Sequence, residues 1–298
     1  MRKNFNDPPD FNSKQPAKKR VLLLGSGISK SISPAIHNKA FRELGLNIEY
    51  TLCEIAEKAL DPKLDELFQD ARVIGFNVTI PFKEKVVGRM TGLDPVALEI
   101  GAVNLVAISV DRRKIFGYNT DVDGVLASLS KLGLVGPSGQ RAAILGSGGA
   151  SRAVVFTLLI HGFDSVTILN RTAGRAEKLV LDYSHKFPSK KISHAKLTPV
   201  DLTSATKEAD LLVNTLPADA VIPFQVEFSS TPKKMKFLDL NYRKNPPLLR
   251  EAKKVGLLSI DGSLMLVEQA ARSFEILTGI SAPRKSMLMA AKRQTVRD

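Results

Sequence analysis

The stretch RAAILGSGGASRAVVF, residues 141–156, carries the strongest structural signal in the chain. An apolar run is followed by closely spaced small residues, namely Gly146, Gly148, Gly149 and Ser151. Small residues let the backbone turn tightly and approach a pyrophosphate at the N-terminus of the next helix. Alone this motif is weak, but its place between a strand-like run and a helical run strengthens it. We therefore predict a phosphate-binding turn at Gly146, Ser147, Gly148, Gly149 and Ala150.

The segments after this turn continue an alternation of strands and helices. The strand-like runs are residues 165–170, 209–214 and 236–240, and the helical runs are residues 150–162 and 173–187. Such alternation predicts a doubly wound parallel sheet with helices on both faces, the Rossmann arrangement. We assign this nucleotide-binding domain to residues 121–262.

The residues after the second strand of this domain favour NADP over NAD. An NAD-binding protein usually places Asp or Glu there, whereas this chain has Asn170, Arg171 and Thr172, with Arg175 one turn further on. A carboxylate repels a 2′-phosphate, and a guanidinium pairs with it through two charge-assisted hydrogen bonds. The alternative is that both arginines are solvated residues at a helix start. That alternative is disfavoured, because a cation lies poorly at a helix N-terminus without an anion nearby.

The chain before residue 121 has an α/β pattern of its own. Its strand-like runs are residues 21–25, 48–55 and 71–78, and its helical runs are residues 33–45 and 61–70. This pattern predicts a second, mostly parallel sheet. Ser33 before Pro34 predicts a helix N-cap, with proline at the first helical position.

The two ends of the chain differ in pattern. Residues 1–19 contain three prolines and no apolar periodicity, so we expect a flexible leader outside the fold. After Ile260 the pattern is wholly helical, which predicts that the chain returns to the first domain. We therefore assign residues 20–120 and 263–298 to one substrate-binding domain.

The net charge of +13 is the one unusual bulk property. Basic residues crowd both ends and are otherwise scattered, and no basic stripe is interleaved with aromatic residues. This distribution favours attraction of anionic small molecules over nucleic-acid binding. No apolar run approaches the roughly 20 residues that cross a bilayer. With one cysteine and four histidines that lack metal-ligand spacing, we expect a cytoplasmic protein without a metal.

Three polar clusters lie in the first domain, mostly where predicted strands end and open α/β sheets bind ligands. They are SISPAIHN at residues 31–38, NVTIPFK at residues 77–83, and Asn104 together with NTD at residues 119–121. His37 in the first cluster is interpreted as a packed structural residue, because no acidic partner accompanies it.

In the order and spacing of these clusters, the chain closely resembles the shikimate dehydrogenases from about Val21 to about Arg284. The resemblance extends to GSGGASRA at 146–153, NRTAGRA at 170–176 and MLVEQAARSFEILTG at 265–279. It implies the reversible reduction of 3-dehydroshikimate to shikimate by NADPH, a step of aromatic amino-acid and chorismate biosynthesis.

The resemblance also implies roles for individual residues. Ser31 and Ser33 bind the substrate carboxylate, helped by Tyr242. The ring hydroxyls are held by Asn77, Thr79, Asn104 and Gln269. Thr215 and Leu216 lie in the segment that the family places near the nicotinamide. Shikimate has no phosphate, so its site must recognise it through many directional hydrogen bonds.

Lys83 and Asp121 are implied to flank the reacting hydroxyl. Hydride transfer to a ketone leaves negative charge on oxygen, so a donor must deliver a proton as that charge develops. Lys83 is the natural donor; its alternative, an ordinary surface lysine, is outweighed by its place in NVTIPFK. Asp121 orients the lysine, binds the same hydroxyl or shares the proton, and the sequence leaves these three roles open.

The chain departs from the family pattern at four places that border the implied site. Lys30 replaces a common His, Leu105 replaces a common Thr, and Thr215–Leu216 replaces the usual Ala–Thr. Ser263 and Leu264 differ from a more glycine-rich usual form. Quinate and an amino-substituted shikimate therefore stay open as substrates, as does a catalytically silent relative that senses the metabolite. Retention of Lys83 and Asp121 argues against a pure binder, which needs no proton donor. Monomer and homodimer also both stay open.

Overall fold

The computed structural model describes residues 17–136, 138–242 and 246–297. The strands of these residues are β1 Lys19–Gly25, β2 Ile48–Glu54, β3 Val73–Val78, β4 Gly92–Leu93, β5 Leu105–Ile108, β6 Ile115–Tyr118, β7 Gln140–Leu145, β8 Phe163–Asn170, β9 Lys191–Lys196, β10 Leu211–Asn214, β11 Lys236–Asp239 and β12 Ser259–Ile260. The α-helices are α1 Ser33–Glu43, α2 Leu60–Gln69, α3 Pro95–Ile100, α4 Asp121–Lys131, α5 Gly149–Ile160, α6 Ala173–Lys186, α7 Pro199–Thr206, α8 Pro247–Lys254, α9 Ser263–Thr278 and α10 Arg284–Arg297.

These elements form two compact units. Unit 1 holds the described residues up to Thr120 together with Val267–Arg297, and unit 2 holds those of Asp121–Leu266. The leader expected at residues 1–19 lies outside the described residues except for its last three, and Lys19 is already part of β1. Among the described residues, no helix is both long and apolar enough to cross a bilayer.

Unit 1 is built on a six-stranded sheet of order β2-β1-β3-β5-β6-β4. Strand β1 is parallel to β2 and β3, whereas β5 is antiparallel to β3 and β6. Phe76 on β3 and Leu64 on α2 are fully buried in one core cluster. The β5–β6 hairpin was not predicted, because its strands are short and lie close together around a polar turn in which Arg112 has a φ of 60°.

The C-terminal helices pack on unit 1, as the helical ending predicted. Phe274 of α9 lies 5.3 Å, centroid to centroid, from Phe41 of α1. Ser286 of α10 donates a hydrogen bond to Glu43 at the end of α1. Helices distant in sequence thus cover the face of the sheet that α1 shields.

Unit 2 has the predicted Rossmann arrangement. Its strands are all parallel and lie in the order β9-β8-β7-β10-β11-β12. Numbered within the unit this is 3-2-1-4-5-6, so the strand order reverses between β7 and β10, where such sheets bind dinucleotides. Strand β9 was not predicted because it has no apolar run; it lies at the sheet edge, and none of its residues is buried.

The start of α1 corrects one prediction. The helix begins at Ser33 itself, its N-cap is Ile32, and no side chain caps it. The Ser33 hydroxyl instead accepts a hydrogen bond from the Ser31 hydroxyl at 3.2 Å. Serine at this position was predicted to cap the helix, and its hydroxyl is engaged with a neighbouring side chain.

Candidate active site and cofactor turn

The carboxyl ends of β1 and β3 lie side by side in unit 1. The backbone N–H of Thr79 donates to the oxygen of Leu24 at 2.9 Å, and that of Ser26 donates to Ile80 at 3.1 Å. A Cβ at Gly25 would lie 2.5 Å from the Thr79 methyl group, so only glycine permits this approach. The second polar cluster of the sequence therefore lies beside the end of β1, and the first cluster follows β1 after a short loop.

Asn77 and Asn104 form the centre of a buried polar network. They are 6% and 2% exposed, respectively. Asn77 Nδ2 donates to the Asn104 backbone oxygen at 3.1 Å, and Asn104 Oδ1 accepts from the Thr120 backbone at 2.7 Å. Buried amides need such partners, because an unpaired one costs about 1–3 kcal/mol. The network joins the ends of β3 and β6 through the start of β5.

Helix α9 completes this network with two side chains one turn apart. Ser273 Oγ accepts from Asn77 Nδ2 at 3.0 Å and lies 3.0 Å from Thr120 Oγ1. Gln269 Oε1 lies 3.5 Å from Asn104 Nδ2. We call Asn77, Asn104, Thr120, Gln269 and Ser273 the amide cluster. Sequence reasoning assigned no role to Ser273; its spacing of four residues from Gln269 is the signal that could have found it.

Tyr50 was also missed, and it orients Asn77. Its hydroxyl donates to Asn77 Oδ1 at 3.0 Å. His37 stacks on the Tyr50 ring with centroids 4.3 Å apart and planes 6° apart. His37 is 1% exposed, and burial lowers its pKa to about 3. The interpretation of His37 as a packed structural residue is confirmed.

A backbone hydrogen bond holds Lys83 next to the amide cluster. Its carbonyl accepts from the Val103 N–H at 2.8 Å, one residue before Asn104. The preceding Phe82 is fully buried, whereas Lys83 is only partly buried. The backbone of Lys83 is thus fixed to the segment that carries Asn104, while its side chain retains contact with solvent.

The remaining implied residues of unit 1 lie at the start of α1: Ser31 precedes the helix and Ser33 is its first residue. Ser31 and Ser33 face each other through their hydroxyls, and the Ser33 N–H also lies 3.3 Å from Ser31 Oγ. Ser31 is partly buried and Ser33 is 7% exposed. The two hydroxyls therefore form a compact pair at this end of the helix.

In unit 2, Gly146 makes the turn between β7 and α5 with a φ of +106°. A directed chain of hydrogen bonds closes the turn. The Gly148 N–H donates to Ser151 Oγ at 3.1 Å, which lies 2.6 Å from Thr215 Oγ1, and Thr215 Oγ1 donates to the Leu145 oxygen at 2.7 Å. Ser151 is fully buried, so its small size is required by packing as well as by the turn.

The two predicted arginines lie where β8 leads into α6. Arg171 and Arg175 are exposed, and neither forms an ion pair with another described residue. Asn170 Nδ2 donates to the Thr172 oxygen at 2.9 Å and fixes the loop between them. Two cations without an ion-pair partner among the described residues therefore lie beside a helix N-terminus, an arrangement that an anion would stabilise.

Asp121 and Tyr242 belong to unit 2. Asp121 is 4% exposed and lies in the first turn of α4, where the helix dipole favours a carboxylate. Tyr242 is partly buried and follows β11 by three residues. Within unit 1, therefore, the structure brings Asn77, Asn104 and Gln269 into one network, and Asp121 and Tyr242 are carried by the other unit.

Family models match most of the chain. Residues 23–106 match the shikimate dehydrogenase substrate binding domain, residues 129–261 match shikimate / quinate 5-dehydrogenase, and residues 262–292 match the shikimate 5′-dehydrogenase C-terminal domain.

Individual proteins are similar over nearly their whole length. The shikimate dehydrogenase (NADP(+)) of Methanopyrus kandleri is 39% identical over 274 residues, which is 90% of this chain and 92% of that protein. The one from Carboxydothermus hydrogenoformans is 37% identical over 276 residues, 89% of this chain and 93% of the relative. The crystal structure of shikimate 5-dehydrogenase from Thermus thermophilus in complex with NADP(H) and shikimate has a TM-score of 0.78 at 33% identity, covering 93% of this chain and 99% of that one.

Proposed function

The chain belongs to the shikimate dehydrogenase family, and we propose that it catalyses the reversible NADPH-dependent reduction of 3-dehydroshikimate to shikimate. The observation that carries this proposal is the amide cluster of unit 1, linked through Val103 to the backbone of Lys83. A polyhydroxylated acid without a phosphate needs such a dense set of oriented hydrogen-bonding groups.

Asn77 illustrates how the cluster would read a hydroxyl group. Both protons of its Nδ2 are used, one by the Asn104 oxygen and one by Ser273 Oγ. Its Oδ1 accepts one bond, from Tyr50, and has a second lone pair. We assign that lone pair to a ring hydroxyl, and we assign other hydroxyls to Thr79, Asn104 and Gln269. A substrate analogue that lacks the hydroxyl would leave the buried acceptor unpaired.

The substrate carboxylate is assigned to the serine pair. Ser31 and Ser33 lie at the start of α1, where the helix dipole also favours an anion. Tyr242 is proposed to donate a further hydrogen bond to the same carboxylate. Lys30, where the family commonly has histidine, adds a positive charge next to Ser31.

Lys83 and Asp121 are assigned to the proton. When bound, NADPH supplies the hydride, and negative charge then develops on the substrate oxygen. The Lys83 ammonium stabilises that charge and donates a proton to the oxygen as the charge forms. Asp121 is proposed to hold the same hydroxyl or the lysine in position. In the reverse direction the lysine accepts the proton from the shikimate hydroxyl.

The residues of unit 2 fit NADP. Gly146 has a backbone conformation that opens the turn to a pyrophosphate, and α5 begins directly after it. Arg171 and Arg175 are assigned to the 2′-phosphate, with Asn170 and Thr172 beside them. Ser147, Gly148, Gly149 and Ala150 are assigned to the pyrophosphate, and Thr215 and Leu216 to the nicotinamide end.

One assay tests the proposal as a whole. Initial rates are measured with shikimate and with quinate, each with NADP and with NAD. We expect shikimate with NADP to give the highest kcat/KM. A higher value with quinate would make the chain a quinate or broad-specificity enzyme. No oxidation of either substrate with either cofactor would refute the proposal and favour a metabolite-sensing relative.

We also propose where the protein is located and how it assembles. We assign the chain to the cytoplasm, where a lone cysteine stays reduced, and to a monomer or homodimer. Cell fractionation and sedimentation velocity test these two assignments. Retention on DNA that depends on salt and on residues 1–19 would add a nucleic-acid role, which we do not expect.

A further inference from the structure

The carboxyl group of Asp239 lies at the end of β11 and is 1% exposed. Its Oδ1 accepts three hydrogen bonds: from Asn214 Nδ2 at 2.9 Å, from the Asn241 backbone at 3.0 Å and from Asn241 Nδ2 at 2.9 Å. A carboxylate is a stronger acceptor than a neutral group, so one oxygen can hold several donors. None of the catalytic or binding roles assigned above uses Asp239.

Both asparagines also form hydrogen bonds with the main chain of Leu216. Asn214 Oδ1 accepts from the backbone N–H of Leu216 at 3.2 Å. Asn241 Nδ2 donates to the backbone oxygen of Leu216 at 3.3 Å. The main chain of Leu216 is therefore held at both of its polar atoms by two amides that share one carboxyl oxygen. We call Asp239, Asn214 and Asn241 the Asp239 cluster.

Leu216 lies directly against the glycine turn. A Cβ at Gly146 would meet the Leu216 side chain at 3.3 Å and Thr215 Oγ1 at 2.6 Å. The segment of Thr215 and Leu216 thus closes one side of the turn that receives the cofactor. A shift of Leu216 would change the shape of that side.

The chain beyond Asp239 has little room to move. The Gly262 N–H donates to the Asn241 oxygen at 3.0 Å, and a Cβ at Gly262 would collide with the Leu240 backbone oxygen. The position of Asn241 is therefore set by packing on two sides, and its amide can transmit the position of Asp239 to Leu216.

We propose that Asp239 is a positioning residue for NADP: through Asn214 and Asn241 its carboxyl group fixes Leu216 beside the glycine turn. The proposal rests on the proposed function, because it assumes that this turn receives NADP. Loss of the acceptor leaves two amides without their shared partner, so Leu216 loses its orientation. Binding of the cofactor weakens, although no atom of Asp239 touches it.

The test compares two substitutions of the same residue. Asp239→Ala removes the acceptor, and we expect the KM for NADP to rise about tenfold. Asp239→Asn keeps an oxygen where Oδ1 lies, and we expect a KM within about threefold of the wild-type value. Val166→Ala is the matched control: Val166 is buried on β8, outside the core cluster that Leu216 packs against, so its loss lowers the melting temperature but leaves the KM for NADP unchanged.

Each outcome supports or overturns the proposal. An unchanged KM for NADP in Asp239→Ala overturns it, and so does an equal rise in Val166→Ala, which would show a general effect of lost stability. If Asp239→Ala does not fold, Asn241→Ala is measured in its place, and an unchanged KM again overturns the proposal. If the wild-type chain does not oxidise shikimate, the proposed function fails by itself. Calorimetric titration of the same variants with NADP then still tests the positioning role.

Discussion

The amide cluster of unit 1 and the glycine turn of unit 2 present their hydrogen-bonding groups in opposite ways. In the amide cluster, buried side chains bond to one another, and the partners come from β3, the start of β5, the end of β6 and α9. In the turn, the groups that we propose to bind the cofactor are backbone atoms between β7 and α5, and the cations Arg171 and Arg175 are exposed.

This contrast follows from the two ligands. A pyrophosphate and a 2′-phosphate carry charge, so backbone amides and cations recognise them without a precise set of side chains. A small hydroxylated acid offers one charge and several hydroxyls, so its site needs oriented donors and acceptors. Substitutions in unit 1 should therefore affect the chemistry or the substrate, and substitutions at the turn should affect the cofactor.

The largest expected effect belongs to Lys83. In Lys83→Ala the proton donor is lost, and we expect kcat to fall by about 10²- to 10⁴-fold while the KM for shikimate changes little. Steady-state kinetics measures both values. Lys85→Ala is the control, because Lys85 is exposed and pairs with Glu57. A near-normal kcat in Lys83→Ala would refute the assignment.

Substitution of Arg171 tests the cofactor side of this comparison. In Arg171→Ala we expect the KM for NADP to rise about 10- to 100-fold, because a charge-assisted hydrogen bond to the 2′-phosphate is lost. The KM for shikimate and the kinetics with NAD should stay unchanged. Lys178→Ala removes an exposed cation from the same helix as a control. A similar rise with NAD would mean that Arg171 does not read the 2′-phosphate.

Substitution of Ser273 tests the amide cluster and leaves Lys83, the proposed proton donor, unchanged. In Ser273→Ala, Asn77 and Thr120 lose a shared partner, so we expect the KM for shikimate to rise by about fivefold and the unfolding free energy to fall by about 1–3 kcal/mol. Thr278→Val, on the same helix and equally buried, should lower stability only. Equal values of the KM for shikimate in both variants would contradict a role in the cluster.

Substitution of His37 is expected to have the smallest effect on activity. It should instead change how the stability of the protein depends on pH. Burial lowers its pKa to about 3, against 6.5 for an unperturbed histidine. Between these values the unfolded chain binds a proton that the folded chain does not. The contribution to stability is therefore fully present above about pH 6.5 and decreases as the pH falls, by at most about 1.4 kcal/mol per pH unit.

Urea unfolding at several pH values measures this effect by comparing the wild type with His37→Phe. Phenylalanine keeps the aromatic contact with Tyr50 but cannot bind a proton. We expect the dependence of stability on pH between about 4 and 6 to be weaker in the variant. Identical dependence in the two proteins would contradict the assignment of this effect to His37.

Much of the fold could be predicted because its signals are local. The glycine turn, the helix after it and the strands of unit 2 each follow from short runs of residues, and the strand order confirmed the Rossmann arrangement. Prediction failed where local signals are weak or ambiguous. The edge strand β9 has no continuous apolar run, and Ser33 was given a capping role although its hydroxyl bonds to Ser31.

The sequence by itself determined the class of chemistry, because Lys83, Asp121 and the glycine turn lie in motifs whose meaning depends on neighbours along the chain. Only the tertiary structure decided that Tyr50 and Ser273 support Asn77, and that Asp239 holds Leu216. Asn77 and Ser273 are 196 residues apart in sequence, yet their side chains lie 3.0 Å apart. No local pattern encodes such a pair, because the packing of α9 on the sheet brings the two residues together.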